Sequence, residues 1–203
     1  MATSVFVPSY WPFFTTNELR KFDYYYEGQT GIQFSSAFMY DKSSNSMLQI
    51  DTDGSGAYKD SWYLQYRPGF GLAEWRDGYP NNGVTNFFTP IGWGDTQLVP
   101  GIYNNNPIIN PFTTRPLTLN LFGKQSIVYE ALLDTFTLRD GTSYTNVLQL
   151  VYQQTWGSKT AGARYWMAYG VGPVALDWVA PDANGKIVTV GRYDAIVTHQ
   201  QIG

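Results

Sequence analysis

The chain has 203 residues, with 13 Lys and Arg against 16 Asp and Glu and a formal net charge of −3. Aromatic residues make up 17% of it and charged residues only 14%, against roughly 25% charged in an average globular protein. That balance excludes a disordered chain and a coiled coil, and it offers no electrostatic footprint for a nucleic-acid backbone. With no cysteine present, disulfides, thiolate metal sites and cysteine nucleophiles are excluded too.

Residues 1–8 lack the basic region and apolar core of a signal peptide, as expected of a mature chain with an added start Met. No apolar run approaches the ~20 residues that a transmembrane helix needs. Residues 17–21 read as one short helical turn behind the caps Thr15 and Thr16. Period-two alternation then sets in. Phe22, Tyr24 and Tyr26 share one strand face. Ile32, Phe34, Phe38 and Tyr40 share one face of the next. A polar turn at 41–46 leads to a third strand at 47–52. After Asp53-Gly54-Ser55-Gly56, residues Tyr58, Trp62, Leu64 and Tyr66 mark a fourth, which residues 70–75 continue beyond the break at Pro68-Gly69.

Between 78 and 116 the chain is dense in Gly, Pro and Asn, and only Asp95 and Arg115 are charged. This stretch reads as a long loop with short strands inside it, for example at 97–103. Connections longer than about 12–15 residues are uncommon in compact domains and are often functional. Alternation returns at Leu117, Leu119 and Leu121. Residues 126–139 form two strands or one bent strand, and Asp140-Gly141 is a strong hairpin signal. Strands at 144–156, 163–169, 174–179 and 187–199 complete the set, with a last hairpin turn at Asp182-Ala183-Asn184-Gly185. The expected fold is all-β: one antiparallel meander domain over 1–203 with about ten to twelve strands, closed as a barrel or curled as a half-open sheet.

Two stretches resemble a loose group of bacterial exported and lipid-anchored envelope proteins. One is Tyr10-Trp11-Pro12-Phe13 leading into Phe22-Asp23-Tyr24. The other runs from Gly141 through Tyr144-Thr145-Asn146-Val147-Leu148 to Tyr165-Trp166 and Gly170-Val171-Gly172-Pro173-Val174. The glycines of the latter allow a bulge or tight bend between adjoining strands. The resemblance implies an envelope β-sheet protein and supplies no catalytic residues. No lipid-attachment Cys is present, so it does not extend to anchoring. The absence of Cys suits a cytosolic protein as well as many exported ones, but the weakly charged, Tyr-, Asn-, Thr-, Ser- and Gly-rich composition points the same way as the resemblance, to a secreted, periplasmic or envelope protein.

The aromatic surplus is the main chemical signal. Flat aromatic faces pack against the apolar C–H faces of sugars, while Asn, Asp and Gln bond the hydroxyls. Trp62, Trp75, Trp93, Trp156, Trp166 and Trp178 are candidates, although aromatic residues alternating along strands also serve as core and cross-strand pairs. Trp93 stands apart because Gly92 and Gly94 flank it within the long loop. Trp93 and Tyr103, with Trp75 and Tyr79 at the loop's entrance, are the expected ligand-binding residues. Asp51, Asp53 and nearby Asp60 suggest calcium, but the twelfth position counted from Asp51 is Trp62 and the flanks read as strands, so a hairpin turn is expected.

Glu74, Asp77, Glu130, Asp134 and Asp177 are the acids from which a glycosidase pair would be drawn. Glu130 and Asp134 are the candidate catalytic residues, yet along one strand they stand roughly 13 Å apart, long even for an inverting pair. The favoured reading of these acids is that they are solvated or bonded to Arg67, Arg76 or Arg164. His199 is the sole histidine, which excludes a His-rich metal site. No Gly-x-Ser-x-Gly elbow, phosphate loop or dinucleotide fingerprint occurs. The expected function is binding of a polar or amphipathic ligand, foremost a glycan, with no metal, cofactor or nucleic acid. A polysaccharide hydrolase or lyase, a barrel enzyme with a buried site, and a structural envelope component are the alternatives.

Overall fold

The computed structural model describes residues 5–6, 10, 18–41, 46–67, 71–79, 83–94, 97–98, 101–109, 121–156 and 159–201, with side chains for 10, 18–40, 46–65, 130–153, 162–186 and 188–201. Apart from Tyr10, which is in a 3-10 turn, every regular element among them is a β-strand. The first half contains β1 (Val5–Phe6), β2 (Glu18–Tyr26), β3 (Ile32–Asp41), β4 (Ser46–Asp53), β5 (Tyr58–Arg67), β6 (Gly71–Tyr79) and β7 (Gly83–Gly94). The second contains β8 (Gln97–Leu98), β9 (Gly101–Ile109), β10 (Leu121–Thr137), β11 (Ser143–Trp156), β12 (Lys159–Ala168), β13 (Gly172–Pro181) and β14 (Ile187–Gln201).

Twelve strands form one antiparallel sheet in the order β7-β6-β5-β4-β3-β2-β14-β13-β12-β11-β10-β9, and β1 pairs with β8 separately. Each half is a meander. The pairing of β14 with β2, from Tyr193↔Tyr26 to Gln201↔Glu18, joins the halves. The sheet curls until its edge strands β7 and β9 approach each other without becoming hydrogen-bonded neighbours. The fold is therefore an all-β, curled, half-open meander.

Three hairpins share one five-residue turn. In Asp53 to Ala57, Leu138 to Thr142 and Asp182 to Lys186, the first N–H donates to the last C=O and the fourth N–H to the first C=O. The fourth residue is Gly56, Gly141 or Gly185, each with φ between +77° and +91°, the left-handed position that glycine takes without strain.

Three expectations are corrected. Residues 18–21 belong to β2 rather than to a helical turn (the proposed caps lie outside the described residues). Arg20, Phe22 and Tyr24 are buried at alternate positions, and that strand burial outweighs weak local helix propensity. Residues 71–79 do not continue the fourth strand but turn back along it, Arg67 pairing with Gly71. Much of the span 78–116 is strand: β7 and β9 occupy 83–94 and 101–109, despite their Asn and Gly content, because ladder pairing with β6 and β10 supplies their backbone partners. Of the two readings offered for 126–139, one bent strand is the one found: β10 runs to Thr137 with a bulge between Tyr129 and Ala131.

The concave face carries the larger core, in which Phe22, Tyr24, Phe38, Met47, Leu64, Leu148, Leu150 and Met167 are almost wholly enclosed. A second cluster on the convex face contains Leu138, Val147, Trp166, Ala168, Val174 and Ala175, with Leu133, Phe136 and Tyr144 against it. A flat sheet does not allow this cluster. Trp166 pairs with Gln149, which pairs with Ala131; Phe136 lies about five residues, or roughly 17 Å, further along β10. Yet the Phe136 and Trp166 rings stack at 5.2 Å between centroids. The end of the β10–β11 hairpin therefore folds back over the sheet.

Asn146 marks the bend. Its φ is +54°, a left-handed conformation that Asn tolerates better than most side chains. Around it the cluster residues step by three instead of two, from Leu133 to Phe136 and from Val147 to Tyr144. The folded tip is fastened to β14. Asp194 accepts from the Arg139 N–H at 2.7 Å, Arg192 donates to the Thr137 carbonyl at 3.3 Å, and the Arg192 guanidinium lies 4.7 Å from the Phe136 ring centre.

Candidate functional site

The concave face leaves a cavity of about 330 Å³ near the end where β2–β3, β4–β5 and β13–β14 turn. Strand alternation sets its chemistry. Phe34, Ser36 and Phe38 project from β3; Gln49, Asp51 and Asp53 from β4; Tyr165 from β12; Leu176 and Trp178 from β13. Aromatic faces supply much of the wall. Tyr24 stacks on Phe34 at 4.4 Å, and Phe34 meets Tyr193 at 5.3 Å and Trp178 at 6.4 Å. Trp178 is 45% exposed, so its ring stands at the mouth.

One glycine shapes that mouth. Gly191 faces Trp178 across the β13–β14 ladder, and a Cβ there would lie 2.5 Å from the Tyr26 ring. Its absence lets Tyr26 lie across β14 and meet Tyr193 at 5.0 Å.

The polar side of the cavity is on β4 and β5. Asp51 accepts from Ser36 Oγ at 2.6 Å and from Gln49 Nε2 at 3.0 Å. Asp60, paired with Asp51 in register, accepts the Ser61 N–H at 2.8 Å. Asp53 forms the hairpin turn expected from the sequence: its Oδ1 accepts from Ser55 Oγ and from the Ser55 and Ala57 N–H groups, and its Oδ2 lies 3.0 Å from Lys59 Nζ. The hydrogen bonds from Ser55 and Lys59 hold its carboxyl well below the usual carboxylate range. Among the described residues no group of three His, Asp or Glu is placed to hold a metal ion. Burial raises the Tyr24 phenol well above its ordinary value, helped by Tyr165 and by the charge of Asp51; its hydroxyl donates to the Pro173 carbonyl at 2.9 Å.

Glu130 is on the opposite, convex face. The Arg164 guanidinium grips both its oxygens, at 2.7 and 2.9 Å, and Gln149 donates to it at 2.6 Å. Burial raises its pKa, but the bonds from Arg164 and Gln149 and the Arg164 charge outweigh this and leave it lowered. Such a carboxylate stays ionised near neutrality, unlike a general acid. Arg164 also lies 3.9 Å from Asp177, which is 3% exposed and accepts the Gly191 N–H. Arg164 is thus one of the cationic partners expected for the acids; the side chains of Arg67 and Arg76 lie outside the described set. Asp134 is exposed further along β10. His199 is at the other end of the sheet against Glu18, whose pKa is lowered chiefly by its bond from Arg20. Arg20 in turn donates to the Val171 carbonyl at 2.8 Å, tying β2 to the β12–β13 turn.

Trp75 and Tyr79 are on β6, Trp93 on β7 and Tyr103 on β9; their side chains lie outside the described set. These strands are at or beside the two sheet edges. Sequence reasoning had named Trp62 and Trp178 only among aromatic residues in general, and it missed Phe34, Gln49 and Asp51 as a group. Alternation showed that each faces one side of its strand, but the curl that makes that side concave has no local signal.

No family model and no curated protein matches the chain. Among solved structures it is similar to a "putative lipoprotein" from Parabacteroides distasonis, at 12% identity over 96% of this chain and 98% of that one, with a TM-score of 0.38.

Proposed function

We propose that this is an exported, non-catalytic binding protein that takes a glycan in the cavity of its concave face. The observation behind this reading is the pairing of an exposed indole, Trp178, with Asp51 and Gln49 across one cavity. A sugar ring needs both halves of that arrangement, an aromatic plane for its C–H face and fixed polar groups for its hydroxyls. The cavity volume is at the lower end of the roughly 300–1,000 Å³ of small-molecule sites. It admits one or two rings of a longer chain, the remainder passing over Tyr193 and Tyr26. Trp93 and Tyr103, on the edge strands, are further candidates for contacts along such a chain. Export is supported by the low charge and the Tyr-, Asn-, Thr-, Ser- and Gly-rich composition.

The test is titration of intrinsic tryptophan fluorescence with neutral oligosaccharides, using wild type, Trp178→Ala and Trp93→Ala. Trp178→Ala should weaken binding by about tenfold or more, the scale of one lost stacking contact. An unchanged affinity in Trp178→Ala, or no response of the wild type to any sugar, overturns the proposal.

A further inference from the structure

Gln49 lines the cavity and is only 9% exposed. Its Nε2 donates to both Asp51 oxygens, at 3.0 and 3.1 Å. That pair fixes which way the amide is turned, since the reverse would set a carbonyl oxygen against a carboxylate. Among the described residues nothing donates to the Gln49 Oε1 that this leaves over. The oxygen is not sealed in the core, so the cavity is where a donor reaches it. A carbonyl oxygen this far buried is costly without a donor, and a ligand O–H or N–H completes it.

Gln49 also marks the inner end of the cavity. On β4, Asp53 is in the turn at the mouth, Asp51 is one same-face step in and Gln49 two steps in, roughly 13 Å from Asp53. The next same-face residue, Met47, pairs with Leu64, and both are enclosed in the core. Across the ladder Gln49 stands between Phe38 on β3 and Trp62 on β5. Phe38 is backed by Phe22, at 5.3 Å between ring centres. Among the described residues the cavity thus has a way in and no way through. From this geometry we infer that the cavity takes a glycan by one end, with a hydroxyl of the terminal ring donating to Gln49 Oε1. The inference rests on the glycan reading above and names the part of the chain that is read. The rest of the chain leaves by the mouth, past Trp178. An internal stretch of a polymer does not reach Gln49, and neither does an end that carries a bulky cap.

The experiment titrates the intact protein with neutral hexasaccharides of the malto, cello and laminari series, each in three forms. One form is free at both ends. One carries a cyclic acetal across two hydroxyls of its non-reducing ring. One is joined through its reducing end to a polyethylene glycol chain. For a hexasaccharide that binds, one of the two blocks should lower affinity about tenfold or more, and the other should leave it within about twofold. The block that acts tells which end enters. Gln49→Met, of similar length and without the carbonyl, should weaken the free hexasaccharide about fivefold, the scale of one neutral hydrogen bond. Because that variant also removes the donor to Asp51, the end-blocked forms give a reading on the wild type alone. Wild-type affinity for both blocked forms, or an unchanged affinity in a folded Gln49→Met, overturns the end-on reading and leaves glycan binding intact. Failure of every free hexasaccharide to bind overturns the glycan reading and this inference with it.

Discussion

Asn146 offers the sharpest test of how the sequence builds this fold. Its backbone adopts φ +54°, its side-chain oxygen accepts the Tyr10 hydroxyl at 2.8 Å, and its carbonyl accepts the Tyr169 N–H at 3.2 Å. Alanine at this position meets two costs. The left-handed conformation costs a residue with a Cβ about 1–2 kcal/mol, of which Asn recovers a part. Loss of the Tyr10 hydrogen bond, partly buried, costs about 1 kcal/mol. Asn146→Ala should therefore destabilise by about 2 kcal/mol. Asn146→Gly loses the same hydrogen bond but relieves the backbone, so its cost should be below about 1 kcal/mol. Urea unfolding followed by tryptophan fluorescence measures both, read from the midpoints at constant slope. Tyr10→Phe completes the cycle: it should cost about 1 kcal/mol in wild type and nothing through this bond in the Asn146→Gly background. Equal midpoints for the Ala and Gly variants would refute the conformational argument. An undiminished Tyr10→Phe effect in the Asn146→Gly background would refute the hydrogen bond's part in it.

Three further outcomes are expected. Tyr24→Phe leaves the buried Pro173 carbonyl without the hydroxyl that donates to it, and should cost about 1–2 kcal/mol in the same unfolding assay. Because the folded pKa of Tyr24 is raised above 10.0, the unfolded chain gives up that proton first. Stability should fall as pH rises beyond 10.0, and the Phe variant should fall less steeply. Glu130 has the opposite sign. Its folded pKa is lowered from 4.5, so its contribution is present above that value and is lost as pH falls through the folded pKa; Glu130→Gln should flatten the acid limb and cost no more than about 1 kcal/mol at neutrality, given its solvent exposure. Gly162→Ala places a Cβ 2.0 Å from the Tyr152 carbonyl oxygen, a backbone atom that cannot swing aside, and should destabilise by about 3 kcal/mol in the urea assay.

The strands and their inward faces were legible because alternation is a local signal. Phe22 and Tyr24 on β2, and Phe34 and Phe38 on β3, face as the period-two pattern indicates. The hairpins at Asp53, Asp140 and Asp182 were legible for the same reason, since Asp and Gly at fixed offsets specify the turn chemistry. What failed was judgement by composition. Residues 83–94 and 101–109 look like loop by their Gly, Pro and Asn, yet they pair with β6 and β10, whose backbone groups would otherwise lack partners. The pairing of Glu130 with Arg164 was among those the charged residues suggested, whereas its second partner, Gln149 on another strand, had no local signal.

The folded-back hairpin bears on how the concave cavity persists. A curled sheet with an incompletely filled concave side gives up packing there, because a void's lining loses its dispersion partners. The convex face compensates. Phe136, Leu138 and Tyr144 close over Trp166, Val147 and Val174, so β11, β12 and β13 are buried on both faces while β4 and β5, on the cavity's polar side, are not. The proposed ligand contacts thus lie at the junction of a doubly packed block and a singly packed one. Trp178 and Tyr165 belong to the rigid block; Asp51, Asp53 and Asp60 belong to the other. Hydrogen exchange should show β11–β13 opening only with global unfolding and β4–β5 opening at lower free energy. A bound ligand that bridges Trp178 and Asp51 should slow exchange selectively in β4 and β5. Uniform protection across both blocks before ligand is added would show that the convex cluster confers no such asymmetry.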